Sequence, residues 1–82
     1  MKRENKIYHM RFETGFTAYL IATISAKSKE KAQGLLEKRI GSRTGFKILR
    51  TIDSGFQSDK KGIIGIGIDN GSFYRNNYPE LY

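Results

Sequence analysis

Few side chains in this 82-residue chain could carry out covalent chemistry. The sequence has one histidine, His9, and no cysteine, so it offers neither a thiolate nucleophile nor the ligands of a conventional zinc site. His9 belongs to a segment in which polar and apolar residues alternate, and its place on the polar side predicts a surface histidine. An all-carboxylate magnesium site would need the convergence of Glu13, Asp53, Asp59 and Asp69, which lie near predicted strand ends. We therefore expect no metal site and no enzymatic activity.

A glycine-rich segment from Gly62 to Gly67 is the other pattern that can signal chemistry, because glycine loops cradle phosphates at helix N-termini. Its sequence, GIIGIG, has neither the Walker nor the dinucleotide-binding spacing, and no predicted helix follows it. The sequence therefore predicts no nucleotide and no other cofactor. On the predicted strand, Gly65 and Gly67 share a face and leave a shallow strip that a backbone or flat ligand could approach, unless a helix covers it or the strand is a simple edge strand.

The charge balance points to an acidic partner. Fifteen Lys and Arg residues against eight Asp and Glu give a formal charge of +7, and such a field attracts polyanions. Nucleic acid, an acidic protein surface and an anionic membrane are the three classes to weigh. The membrane ranks last, because the predicted helix lacks a large hydrophobic face with basic flanks.

The predicted binding surface combines basic residues with aromatic side chains that could stack on bases. Arg43, Lys47 and Arg50 lie on or just before a predicted third strand, and Lys60 and Lys61 lie on the loop that leads to a fourth. If these two strands pair, the five side chains gather near one end of the sheet. The other predicted binding residues are Tyr19, Phe56, Tyr74, Arg75 and Tyr78.

A helix face provides a second candidate for the same role. Lys31, Lys38 and Arg39 fall within the predicted helix, although Glu30 and Glu37 interrupt its positive charge.

The elements that would position these residues are read from periodicity. Residues 6–14 alternate as a half-buried strand, and residues 17–26 form a second strand of a β-hairpin, with enough apolar character to lie in the sheet centre. Ser28 is the predicted N-cap of a helix over residues 29–40, whose apolar residues recur at spacings of three and four. A third strand is predicted over 46–52, a polar loop over 53–62 and a fourth strand over 63–68.

Together these elements predict an α+β fold in β-β-α-β-β order, with a mainly antiparallel four-stranded sheet and one helix on one face. A chain of this length forms one domain, which we expect to span residues 1–68. The Tyr-rich tail, residues 69–82, shows no periodicity and should pack on the domain or on a partner. The face without the helix keeps Ile7, Tyr19, Ile21 and Leu49, which either the tail or a second subunit could cover.

Two functions remain open. The first is a non-catalytic module that binds nucleic acid through its basic surface. The alternative is a small phage or mobile-element protein that acts as an inhibitor or accessory factor by binding a host protein or a protein–nucleic acid complex. No export signal is visible, and the longest apolar run is well short of the ~20 residues that span a bilayer, so we expect a cytoplasmic protein.

Overall fold

The chain forms a four-stranded antiparallel sheet with one long helix on one face, and the predicted α+β class and β-β-α-β-β order are confirmed. The structure is a computed structural model that describes residues 5–15, 19–42, 44–69 and 73–82. The strands are β1 (Asn5–Glu13), β2 (Tyr19–Ala26), β3 (Lys47–Ser58) and β4 (Gly62–Ile68). The helices are α1 (Lys29–Ile40) and α2 (Phe73–Asn77), and a 3-10 turn follows at Pro79–Leu81.

The hairpin strands β1 and β2 occupy the centre of the sheet, and β3 and β4 form its two edges. β1 and β2 pair from Lys6↔Ala26 to Glu13↔Tyr19. β3 adds to the free side of β1, and β4 adds to the free side of β2. β3 and β4 therefore lie at opposite edges and do not pair. The condition under which the five predicted basic residues would gather is not met.

The hydrophobic core lies between α1 and one face of the sheet. Alternate residues of the two central strands point toward α1, whose Ala32 and Leu36 are four residues apart and share one side of the helix. Complete burial of a side chain such as Leu36 contributes about 1.5–3 kcal/mol. The buried core residues are Tyr8, Met10, Phe12, Ala22, Ile24, Ala26, Ala32 and Leu36.

β3 is longer than its periodicity predicts, and the prediction of a loop over residues 53–62 is wrong for residues 53–58. β3 continues to Ser58, which pairs with Asn5 at the start of β1. Two register shifts absorb the difference in length between the two strands. Polar residues are compatible with this strand because it is at the edge of the sheet and largely exposed. At one of the shifts, Leu49 lines a hollow beside α1 and does not join the opposite face.

The described part of the tail, residues 73–82, lies against the sheet face opposite α1. Leu81 is fully buried there, and the ring of His9 lies 5.4 Å from the ring of Tyr74 and 4.5 Å from that of Tyr78. His9 is only 8% exposed, so the prediction of a surface histidine is wrong. The alternation of β1 places His9 on the face away from the core, and the tail then covers that face.

Candidate nucleic-acid interface

A groove of about 380 Å³ runs between α1 and the β4 side of the sheet, and lysines dominate its lining. We call it the α1–β4 groove. Four ammonium-bearing side chains surround a small apolar surface made by Ala26 and Leu35. The lining residues are Ala26, Lys27, Lys31, Gly34, Leu35, Lys38 and Lys61.

α1 places two of these lysines on the same side of the helix. Lys31 and Lys38 are seven residues apart, which is about two turns and roughly 10 Å along the helix axis. Leu35 lies between them and packs against the core. The start of α1 is defined by Ser28, whose Oγ accepts a hydrogen bond from the Lys31 backbone N–H at 3.2 Å. A capped helix with a packed apolar stripe therefore sets the positions of both lysines.

Gly34 leaves the helix wall of the groove open. No atom lies within 4 Å of the position that a Cβ would occupy at this residue. A close approach of α1 to the sheet therefore does not explain the glycine. A glycine inside a helix costs about 0.5–1 kcal/mol relative to alanine, and its effect here is a wider groove between Lys31 and Lys38.

The connection between β3 and β4 brings Lys61 to the groove. The Lys60 carbonyl accepts hydrogen bonds from Asn5 Nδ2 at 2.6 Å and from Ser25 Oγ at 2.7 Å. Asn5 belongs to β1 and Ser25 to β2, so the connection crosses the end of both central strands on its way from one edge of the sheet to the other. Lys61 is therefore presented from a loop that the central strands hold in place.

A second hollow of about 350 Å³ extends the basic surface along α1. It shares Leu35 and Lys38 with the groove and adds Arg39 and Ile63. Within the part of the chain that is described, the residues lining the groove and this hollow include no Asp or Glu. The two hollows together carry five cationic side chains along one side of α1.

The other side of α1 forms a groove of different character, with a volume of about 440 Å³. We call it the α1–β3 groove. Glu37 contributes a carboxylate to it, and Gln33 Nε2 donates a hydrogen bond to Thr51 Oγ1 at 3.0 Å. Its positive charge is thus partly offset, which makes it the weaker candidate for binding anions. Its cationic residues are Lys29, Lys47 and Arg50.

The structure distributes the basic residues predicted from sequence over separate surfaces. Lys47 and Arg50 are exposed near the start of β3, and Lys60 and Lys61 lie beyond its end. The β1 residues that pair with the two ends of β3 are eight positions apart, or about 26 Å at the usual strand rise. Lys61 alone among these four lines the α1–β4 groove. Arg43 lies outside the described residues.

The predicted aromatic residues lie away from the groove as well. Phe56 is 63% exposed near the far end of β3, beside Lys6 and Asp53. Tyr19 begins β2, where its ring packs on the guanidinium of Arg11, with 4.3 Å from Cζ to the ring centroid. The tail residues Tyr74, Arg75 and Tyr78 belong to the sheet face opposite α1 or its margin.

The sheet face under the tail contains a closed cluster of ionisable groups. Arg11 Nε lies 3.0 Å from Asp69 Oδ2, and the Tyr82 hydroxyl donates to Asp69 Oδ1 at 2.5 Å. Burial raises the pKa of Tyr82, and its hydrogen bond to Asp69 raises it further. Burial also lowers the pKa of His9. Because Arg11, Asp69 and Tyr82 satisfy one another, they hold the end of the tail on the sheet.

Within residues 5–15, 19–42, 44–69 and 73–82, no three His, Asp or Glu side chains lie close enough together to bind a metal ion. No helix in the same ranges has the length and apolar character needed to cross a membrane.

Sequence reasoning identifies only part of the groove. It predicts Lys31, Lys38 and Arg39 as a second candidate surface, and it does not single out Lys27. The local signal is the spacing of Lys31 and Lys38 on either side of Leu35, which marks one border of the apolar stripe. No local signal predicts that Lys61 lies near Lys31 and Lys38, because this proximity depends on the order of the strands.

Comparisons with family models, curated proteins and solved structures found no match for this chain. The function of the chain is therefore inferred from the geometry and charge of the groove.

Proposed function

We propose that the protein binds nucleic acid without catalysis, and that it does so through the α1–β4 groove. The observation that carries the proposal is the arrangement of four lysines around one groove with no acidic residue among its described lining. The formal charge of +7 adds long-range attraction for polyanions. Lysine ammonium groups bind phosphate oxygens as point charges, so the groove suits a phosphodiester backbone.

Recognition through this groove involves the backbone of the nucleic acid rather than its bases. Stacking on bases requires aromatic platforms, and Tyr19, Tyr74 and Tyr78 are not among the lining residues of the groove. We therefore expect little sequence preference. Neutralisation of three phosphates by Lys31, Lys38 and Lys61 gives a slope of log K against log salt of about −2.1 for single strands and about −2.7 for duplex DNA.

The test is a titration of labelled single-stranded and duplex DNA and RNA with the full chain, followed by fluorescence anisotropy between 50 and 200 mM salt. The double variant Lys31→Glu/Lys38→Glu places two carboxylates in the groove. We expect it to lose about tenfold or more in affinity at 50 mM salt and to show a shallower salt slope.

A matched variant separates the groove from the overall charge. Lys29→Glu/Lys47→Glu changes two lysines of the α1–β3 groove. Each Lys→Glu substitution lowers the formal charge by two, so both double variants carry a formal charge of +3. We expect the matched variant to retain most of the affinity. Equal losses in both variants would show that binding follows net charge and would remove the groove from the proposal.

Failure of the unmodified chain to bind any of the four nucleic acids at 50 mM salt would overturn the proposed function. An acidic protein surface, which ranks above an anionic membrane, would then be the next candidate ligand for the basic groove.

A further inference from the structure

The free edge of β4 is an uncharged and exposed strand. Its sequence, GIIGIGI, contains no charged residue, and β2 is the one strand with which it pairs among the described residues. Ile64 is 51% exposed, Ile66 is 41% exposed and Ile68 is 62% exposed. The unpaired backbone groups of such an edge are a template for the addition of another strand.

The opposite edge of the sheet carries the protection that β4 lacks. β3 has two register shifts against β1, and Gly55 interrupts it with a φ of +86°. Charged Lys47, Arg50 and Asp53 also lie along it. Irregular geometry and charge are the usual means by which proteins prevent association at a sheet edge. β4 has one register shift, and from Gly65 to Ile68 it pairs regularly with β2.

The two sides of β4 offer different surfaces to an added strand. On the α1 side, Ile66 pairs with Ala22 and Ile68 with Leu20, so both isoleucines extend the core face beyond the cover of the helix. On the other side, Gly65 and Gly67 are exposed, and no atom lies within 4 Å of a Cβ built at either glycine. Flat aromatic side chains of a neighbouring strand pack well over such glycines.

We infer that the β4 edge binds an extended, acidic segment of a protein partner by strand addition. The backbone of the segment pairs with β4, as in other cases of β-augmentation. Its alternate apolar side chains cover Ile66 and Ile68, and aromatic side chains on its other face lie over Gly65 and Gly67. Carboxylates of the segment reach the cations beside the strand, which are Lys38, Arg39 and Lys61.

Charge complementarity favours this occupant over a second copy of the chain. Two copies each carrying +7 repel one another. Three half-exposed isoleucines also supply much less than the roughly 800 Å² that each partner buries in a standard interface. An acidic segment is attracted by the charge, and backbone hydrogen bonds provide much of its affinity.

The test uses the synthetic peptide Glu-Val-Phe-Val-Phe-Val-Glu-Glu as a probe for the full-length chain, with anisotropy for affinity and amide NMR shifts for location. Valines and phenylalanines alternate in this peptide. The valines are meant to cover Ile66 and Ile68, and the phenylalanines are meant to lie over Gly65 and Gly67. We expect the largest shifts at Gly65, Ile66, Gly67 and Ile68. Methylation of alternate peptide nitrogens removes backbone donors and should reduce affinity about tenfold or more.

A pair of protein variants provides a further control. Ile66→Lys places a charge on the free edge of β4, whereas Gln57→Lys makes the same change in charge at an exposed position of β3. We expect a loss of about tenfold or more in peptide affinity for the first variant and a change within about twofold for the second. Thermal unfolding verifies that both variants fold, and the methylated peptide tests the proposal on the unmodified chain.

Three results would overturn the inference. The first is equal binding of the methylated peptide, and the second is a set of shifts located away from β4. The third is a peptide-free dimer that light scattering detects and Ile66→Lys abolishes, because a second copy would then occupy the edge. Ile66→Lys leaves the lysines of the α1–β4 groove in place, so loss of peptide binding and loss of nucleic-acid binding are separate outcomes.

Discussion

His9 occupies a position that depends on both the sheet and the tail. Its Nδ1 lies 3.2 Å from Thr23 Oγ1, and the rings of Tyr74 and Tyr78 pack against it. Burial lowers its pKa from the usual 6.5, because the imidazolium would lose solvation under the tail. The folded chain therefore keeps His9 neutral at pH values where the unfolded chain has begun to bind a proton.

We predict that acidification below pH 6.5 destabilises the fold through His9. Between 6.5 and the lower pKa of the folded state, the unfolded chain binds more protons than the folded chain does. The free energy of unfolding therefore falls as the pH falls through this window, and the contribution of His9 stops changing below the folded-state pKa. Thermal unfolding at pH 7.5 and pH 5.5 measures the loss.

The variant His9→Gln is the control for this effect, because it cannot take up a proton in the same range. It should lose less stability than the unmodified chain between the two pH values. An NMR titration in which His9 has a pKa of 6.5 or higher would contradict the explanation.

At the scale of elements, α1 combines a structural face with a functional one. The face toward the sheet contains Ala32 and Leu36, which are fully buried. The side toward β4 contains Lys31, Gly34 and Lys38, which line the α1–β4 groove. Gly34 is not needed for packing, because a Cβ at this position would meet no other atom. On our proposal, the glycine leaves space for a ligand in the groove.

Replacement of Gly34 tests this division. We predict that Gly34→Ala stabilises the protein by about 0.5–1 kcal/mol, because the Cβ enters open space and the helix gains propensity. Urea unfolding measures the change in the free energy of unfolding. Gly34→Glu should weaken nucleic-acid binding, because its carboxylate enters the groove, while the variant remains folded. A decrease in stability for the alanine variant would mean that α1 needs the glycine for its backbone.

At the scale of the whole molecule, the charge that attracts a polyanion also opposes folding. A formal charge of +7 on 82 residues repels itself in the compact state. The ion pair between Lys6 and Asp53, at 3.6 Å, is half-exposed and offsets little of this repulsion. At 0.1 M salt, the repulsion between exposed charges that lie more than about 10 Å apart is largely screened.

Salt should therefore have opposite effects on stability and on binding. We predict that an increase in NaCl from 50 to 500 mM raises the Tm of the free chain, whereas it weakens the complex with nucleic acid. Differential scanning calorimetry measures the first effect. The variant Lys29→Glu/Lys47→Glu, with a formal charge of +3, should show a smaller rise. A Tm that falls with salt would show that attractive ion pairs outweigh the repulsion.

Local periodicity was sufficient to predict most of the elements. Alternation over residues 6–14 and 17–26 predicts the hairpin, and the Ser28 cap with the stripe around Leu36 predicts α1. These features depend on interactions between residues close in sequence, which is why the fold class and element order could be predicted. The polar half of β3 could not be predicted in this way. Its residues favour turns, and it is a strand because it pairs with β1.

The positive charge that suggests an acidic ligand was determined by composition alone, whereas its arrangement was decided by tertiary structure. Strand order places β3 and β4 at opposite edges, so Lys47 and Lys61 lie on different surfaces and Lys61 joins Lys31 and Lys38. The burial of His9 was decided in the same way by the tail. These outcomes depend on which distant segments pair and pack. They could not be predicted from periodicity, because periodicity specifies the two faces of a strand but not the strands beside it.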